Sequence, residues 1–447
     1  MIDRSSSTLL SSIIAFIVPV LMAVYWPMVG SGLNWAPMAV KAAILLCSSI
    51  LVLFWWRAPA TENEKRWTIL FGCYLGFLII PSLLATNVPR ALTNWSRIAV
   101  IVVVCLGLAR AFRNGGTRRA FGVGALCSSL LLTTYIAFLY VRYAGPVMPS
   151  YESARILKET VLNAAGVGFN PMAFSSTFLC VLALCVLRRS VVLYVSLAFV
   201  IAVGSCLTGS RTPLALLAGS LGIVLLVRLI KQRGPMSRYS LLLLGGVAAV
   251  GLWHVITTPP DIRKVSAITE GRIDIWSVAW EKFREKPLTG FGAESWKDDL
   301  VSRMPGYYEL AGSLVKMRTG GYHNAYLTLL AEEGLPVFSV AVLILASAFR
   351  ICLCGLGTTR QIRNQWFFLF GLVFLSLRGL IEVPGLFGYG SDPAEFSTYS
   401  FLSLVIASFT VKSRKQKQIE TFRSRSNLGV FPARVRPMNV ALSLSPN

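Results

Sequence analysis

The chain has 447 residues, of which 55% are hydrophobic and only 14% charged, with a mean hydropathy of +0.63. Soluble domains carry nearer a quarter charged residues, so this balance excludes an ordinary water-soluble protein. The formal net charge of +23 reads, on so apolar a chain, as topology and lipid-anchoring charge and not as a nucleic-acid surface, so no nucleic-acid partner is expected.

Apolar runs of about 17 to 25 residues recur from end to end, each long enough to cross roughly 30 Å of hydrocarbon as a helix. Backbone in lipid must satisfy its own hydrogen bonds, which allows helices or closed barrels. The runs are continuous and not alternating, which excludes a barrel. The first, in MIDRSSSTLLSSIIAFIVPVLMAVYWPMV, is too long for a signal peptide and lacks a small-residue cleavage site. About twelve spans are predicted, near residues 9–29, 37–56, 68–84, 98–112, 120–140, 171–187, 191–207, 213–230, 239–256, 325–349, 366–380 and 397–411. The fourth is short for the hydrocarbon thickness. The expected class is an all-α, polytopic membrane protein with a single transmembrane domain, 1–411, and a basic, disordered tail, 412–447.

Lys and Arg cluster in alternate connections: Arg57, Lys65 and Arg66; Arg110, Arg113, Arg118 and Arg119; Arg188 and Arg189; Arg228, Lys231, Arg233 and Arg238; Arg350, Arg360 and Arg363; then the tail. The positive-inside rule makes that side cytoplasmic, with both termini inside. Two outer segments are long. Residues 141–170 form one. Residues 257–322 form the other, the longest polar stretch, punctuated by Gly and Pro. The latter holds an amphipathic pattern, GRIDIWSVAWEKFREKP, with Ile275, Ala279 and Phe283 at helical spacing and Pro287 as a stop. The cysteines fall mostly in apolar runs, with Cys352 and Cys354 just past one, and none lies between Thr257 and Tyr322, so no disulfide framework is indicated.

Three cationic positions face the outer side on this topology: Arg211, Arg272 and His323. Arg211, in LTGSRTPLALLAG, sits in a tight turn beside Ser210, with Pro213 opening the next span. It reads either as a snorkelling anchor or as part of an anion site at a helix start. Arg272 opens the loop helix, where the dipole disfavours a cation; Glu270 or Asp274 is a structural partner, and a phosphate is the functional one. His323, in TGGYHNAYLTLLAEEGLP, is one of two histidines in the chain. It is either a packed interfacial ring or a general base. The other, His254, reads as interfacial packing. TGFGAESW lacks the spacing of a phosphate loop and reads as a turn returning the loop helix to the membrane. Adjacent Asp298 and Asp299 are a weak metal pair at best, and no zinc or calcium motif appears.

Three blocks in order, LTGSRTPLALLAG, GRIDIWSVAWEKFREKPLTGFGAESW and YHNAYLTLLAEEGLPVF, resemble the O-antigen ligase and polymerase family of bacterial envelope glycosyltransferases, over residues 207–338. The resemblance implies a GT-C-like fold in the bacterial inner membrane, with a periplasmic active site and a long periplasmic loop carrying short helices. It implies a glycan donor on undecaprenyl diphosphate, an acceptor that is either lipid A-core or another lipid-linked glycan, no cofactor and no metal. Transfer leaves a diphosphate bearing more charge than before, and arginine forks suit its oxygens. The attacking hydroxyl must lose its proton, which a neutral imidazole accepts. His323 is therefore the expected base and Arg211 and Arg272 the diphosphate clamp, with Ser210 and Asn324 as substrate contacts. Arg90, Arg97 and Arg378 are on the same side without a motif. Ligase is the first reading and polymerase the second. A secondary transporter is a weaker third, since no internal repeat appears and the ionisable residues gather at an interface.

Overall fold

A computed structural model describes residues 4–29, 33, 35–144, 169–187, 191–201, 211–232, 272–293, 295, 322–355, 362–381 and 396–408. Among them the only regular elements are helices: α1 (Arg4–Val29), α2 (Ala36–Trp55), α3 (Glu62–Leu83), α4 (Val88–Ala111), α5 (Gly115–Ala144), α6 (Phe169–Val186), α7 (Val191–Ile201), α8 (Arg211–Gln232), α9 (Arg272–Glu285), α10 (Ala325–Gly355), α11 (Ile362–Ile381) and α12 (Phe396–Ser408). Six of these, α1 to α5 and α10, are long and apolar enough to cross a membrane; α6, α8, α11 and α12 contribute shorter apolar stretches. The predicted span at 239–256 lies outside the described residues, as does the tail. Every other predicted span meets a described helix, and the loop helix is α9.

Two boundaries differ from the hydropathy reading. The fourth helix starts at Val88, ten residues before the apolar run at Ile98, because its first turns, VPRALTNWSR, are polar. Asn87 caps it, its side chain accepting from Arg90 N at 3.2 Å, and a proline follows in the first turn. α10 continues through Arg350, Cys352 and Cys354, which the sequence reading assigned to a connection.

The outer faces carry apolar side chains, among them Leu46, Leu53, Ile69, Leu131 and Leu343, which suits lipid. The interior mixes aromatic packing with small polar residues. Phe178 stacks on Phe374 at 6.3 Å and meets Phe401 at 5.8 Å, joining α6, α11 and α12. Between α5 and α6, Ser129 donates to the Ser176 carbonyl at 2.7 Å. Between α4 and α12, the Cys105 thiol donates to the Tyr399 carbonyl at 3.3 Å and Ser403 donates to the Cys105 carbonyl at 2.8 Å. Small hydroxyl residues allow close helix approach in an apolar medium and satisfy each other there.

At one end of the bundle the α2–α3 and α4–α5 connections meet, as the charge pattern required of two connections on one side. Arg113 donates to the Pro59 carbonyl at 2.8 Å and lies 3.5 Å from the buried Glu64 carboxylate. Glu64 also closes a capping box, accepting from Thr61 N at 2.8 Å while Thr61 accepts from Glu64 N at 3.3 Å. The opposite end of α3 reaches the functional elements.

Candidate functional site

α9 presents Ile275, Val278 and Ala279 on one stripe, and these form a buried cluster with Tyr322 and Ala331. Val278 takes the place expected for Phe283, which is only half-buried, while Trp280 is exposed. Lys282 lies on the covered side: its ammonium stands 3.8 Å from the ring centre of Phe291, and that of Lys286 4.5 Å. The lysine stems therefore cover apolar surface while their charges meet an aromatic face.

Pro287 follows the helix, and the chain turns through Pro287–Gly292. This turn docks on a break in α10. Gly334 there has φ 78° and ψ 175°, and Pro336 has no N–H. A helix would bond Leu335 N to Ala331 O and residue 336 to Glu332 O. Neither bond forms, so two carbonyls and one N–H need other partners. The turn supplies all three: Phe291 N donates to Ala331 O at 3.2 Å, Gly292 N to Glu332 O at 2.7 Å, and Leu335 N to Pro287 O at 2.8 Å. Only glycines allow the approach. A Cβ on Gly290 would sit 2.2 Å from Glu332 O, one on Gly334 2.5 Å from Leu288 O, and one on Gly292 2.2 Å from Ala85 Cβ. The last contact seats the turn on the α3–α4 connection.

The entrance to α10 is equally constrained. Asn324 is buried, and its Oδ1 accepts from Tyr326 N and Leu327 N, both at 3.0 Å, capping the helix. Thr328 returns a bond to Asn324 O at 2.8 Å. Tyr322 is fully buried in the cluster with α9. His323, between these two anchored residues, is half-buried with Nδ1 shielded from solvent, and has φ 52°, the one positive φ at a non-glycine among the described residues. Left-handed backbone costs an L-residue about 1–2 kcal/mol and persists where neighbours over-determine it.

Of the sequence-predicted residues, Arg272, His323 and Asn324 lie on the α9–α10 pair. Arg272, the first residue of α9, is half-buried and lies three residues before Ile275. α9 and the first part of α10 both run toward the Pro287–Leu335 junction, and Ile275 shares a cluster with Tyr322, so Arg272 and His323 occupy matching ends of the pair. Arg211 opens α8. That helix packs on α11, where a Cβ on Gly219 would lie 3.3 Å from Leu377. Tyr326 bridges α10 to the same region of α11, donating to Ser376 O at 3.0 Å with its ring against Gly379. Both α8 and the first turn of α10 thus pack on the last turns of α11. The Arg211 side chain, Ser210, His254, Asp298 and Asp299 lie outside the described residues.

Arg378 is the residue that motif reading undervalued. It is 2% exposed in the last turn of α11, with its guanidinium 4.5 Å from the ring centre of Phe174. A helix C-terminus favours a cation, and the aromatic face adds to that. The available signal was a single arginine inside an apolar run, which is rare in membrane helices without a purpose. Arg97 donates to Asn94 on α4, and Arg90 is exposed.

These features define a polytopic helical membrane protein in which a histidine and an arginine stand at one end of a helix pair that an interlocked glycine turn joins at the other. Residues 195–342 match the model of the family described as O-antigen ligase. The match contains all three sequence blocks and bears out their resemblance to that family. No curated protein matches the chain.

Proposed function

We propose that the protein is an O-antigen ligase, moving a glycan from undecaprenyl diphosphate to a sugar hydroxyl on lipid A-core at the outer face of the bacterial inner membrane, in lipopolysaccharide biosynthesis. The observation that carries the reading is His323: a half-buried imidazole on left-handed backbone, fixed by Tyr322 and Asn324, inside the region that matches the ligase family. The acceptor oxygen attacks the anomeric carbon and its proton passes to His323. The bond from that carbon to the diphosphate oxygen breaks, and the electron pair leaves with undecaprenyl diphosphate. A positioned base of this kind contributes about 10²- to 10⁴-fold. Arg211 and Arg272 meet the charge that develops on the leaving group, with their planar forks in the role a metal ion fills elsewhere. Asn324 Oδ1 is committed to the helix cap, so its amide donors are the part that meets a sugar hydroxyl, alongside Ser210.

Reconstitution tests this. Purified protein meets an undecaprenyl diphosphate-linked glycan with or without lipid A-core, in chelator, beside His323→Gly. Glycan on lipid A-core, lost in the variant, is the expected result. Longer lipid-linked glycan without lipid A-core makes the protein a polymerase with the same chemistry. No transfer by folded protein under either condition sinks the transferase reading and favours a transporter.

A further inference from the structure

At the end of the bundle away from His323, α5, α6 and α7 enclose a cleft of ≈ 650 Å³ lined by Arg118, Arg119, Val123, Leu126, Leu187 and Leu193 among others. We infer that this cleft holds one anionic diacyl phospholipid of the adjoining leaflet. The inference is independent of the transferase reading.

Asn114 caps α5, accepting from Gly116 N at 2.8 Å and Thr117 N at 3.1 Å. Arg118 therefore closes the first turn and Arg119 follows it, near the positive end of the helix dipole, with no acidic residue in the first turn to offset it. Neither has an ion-pair partner among the described residues. The neighbouring Arg113 is different, since it lies on Glu64. Two adjacent guanidiniums at a helix start suit a phosphate group.

Below the arginines the lining turns apolar: Val123 one turn further, Leu126 about 12 Å along the axis from Arg118, then Leu187 and Leu193 across the gap. One side is fixed by a tight helix contact, where a Cβ on Gly122 would lie 2.9 Å from Val186. Val123 is partly exposed, so the cleft opens sideways. Cations at the helix end with hydrocarbon below are the complement of an amphiphile. Free phosphate leaves the apolar wall uncovered.

The cleft is also separate from the candidate active site. Arg113 on Glu64 marks one end of α3 and Gly292 on Ala85 the other. The 22 residues of α3 span about 33 Å between them.

The test uses the full chain in mild detergent. Native mass spectrometry reads lipid retention with dioleoyl phosphatidylglycerol, with dioleoyl phosphatidylcholine, and with phosphatidylglycerol plus excess inorganic phosphate. Phosphatidylglycerol should be retained roughly ten-fold or more over phosphatidylcholine, and phosphate should not displace it. Arg118→Gln with Arg119→Gln should remove the preference. Leu126→Trp keeps both cations and fills the slot, and should abolish retention of either lipid in a protein that elutes as wild type. Equal retention of the two lipids by wild type overturns the proposal, as does full displacement by phosphate or unchanged retention in Leu126→Trp. The tryptophan variant decides the matter if the double variant fails to fold.

Discussion

Gly290 and Glu332 meet backbone to backbone: a Cβ on the glycine would stand 2.2 Å from the glutamate's carbonyl oxygen. Gly334 returns the contact on Leu288 O at 2.5 Å. The Pro287–Gly292 turn and the break at Gly334, over forty residues apart in sequence, are thus two halves of one joint. Both glycines have positive φ, 62° and 78°. Gly290→Ala and Gly334→Ala each combine backbone strain with a clash, and should cost about 2–4 kcal/mol. Thermal unfolding in detergent checks this. Gly72→Ala is the control, because nothing stands within 4 Å of its Cβ position, and it should be neutral or stabilising by up to about 1 kcal/mol.

His323 carries a backbone constraint and, on our proposal, a chemical one, and substitution can part them. Glycine adopts φ 52° without strain and has no base. His323→Gly should unfold within a few degrees of wild type while glycan transfer falls about 10²- to 10⁴-fold. His323→Val should lose both, since a β-branched residue is a poor occupant of left-handed backbone. Near-normal transfer by His323→Gly would remove the imidazole from the mechanism.

How far the sequence led depends on which signal each element carried. Hydropathy located α1, α2, α3 and α5 well because their apolar runs fill the helices. It placed the start of α4 ten residues late because Arg90, Asn94 and Arg97 ride on helical turns that hydropathy reads as loop. Periodicity found α9 but chose Phe283 for the buried stripe, where Val278 and the Lys282 stem lie instead. At the site, residue type and block order singled out His323 and Arg272. They carried no sign of the left-handed backbone, nor of the missing helix bonds at Gly334 that the turn repairs. Such features depend on which segments meet in space. Arg378 was visible as a letter, and its burial over Phe174 was not.

Asn324 fixes the other side of His323. Its Oδ1 accepts two backbone N–H groups at 3.0 Å each, so Asn324→Ala should cost about 1 kcal/mol, and Asn324→Asp or Asn324→Ser much less. On our reading the alanine variant also loosens the imidazole, so transfer should fall further than the loss of folded protein explains. Normalising activity to the folded fraction separates the two effects.

At the far end of α3, Glu64 joins a capping box to Arg113. The carboxylate is buried and the arginine largely so. Glu64→Ala removes the cap and leaves a guanidinium facing little water, and should cost about 3 kcal/mol. Glu64→Gln keeps an oxygen for Thr61 N and should cost less. Both variants lie about 33 Å from the candidate site along α3. Transfer per folded molecule should therefore stay near wild type, and a large loss would show that this end of the bundle communicates with the other.

The arginine clamp makes a graded prediction. A diphosphate presents oxygens in pairs, which a guanidinium meets with two parallel N–H groups and an ammonium with one point charge. Arg272→Lys and Arg211→Lys should therefore retain part of the transfer activity, and the glutamine variants should retain much less. Because the charge grows as the leaving group departs, kcat should fall more than donor KM rises. Kinetics in the reconstituted system read the ratio directly. Equal activity in the lysine and glutamine variants would leave charge and geometry at these positions without a part in the chemistry.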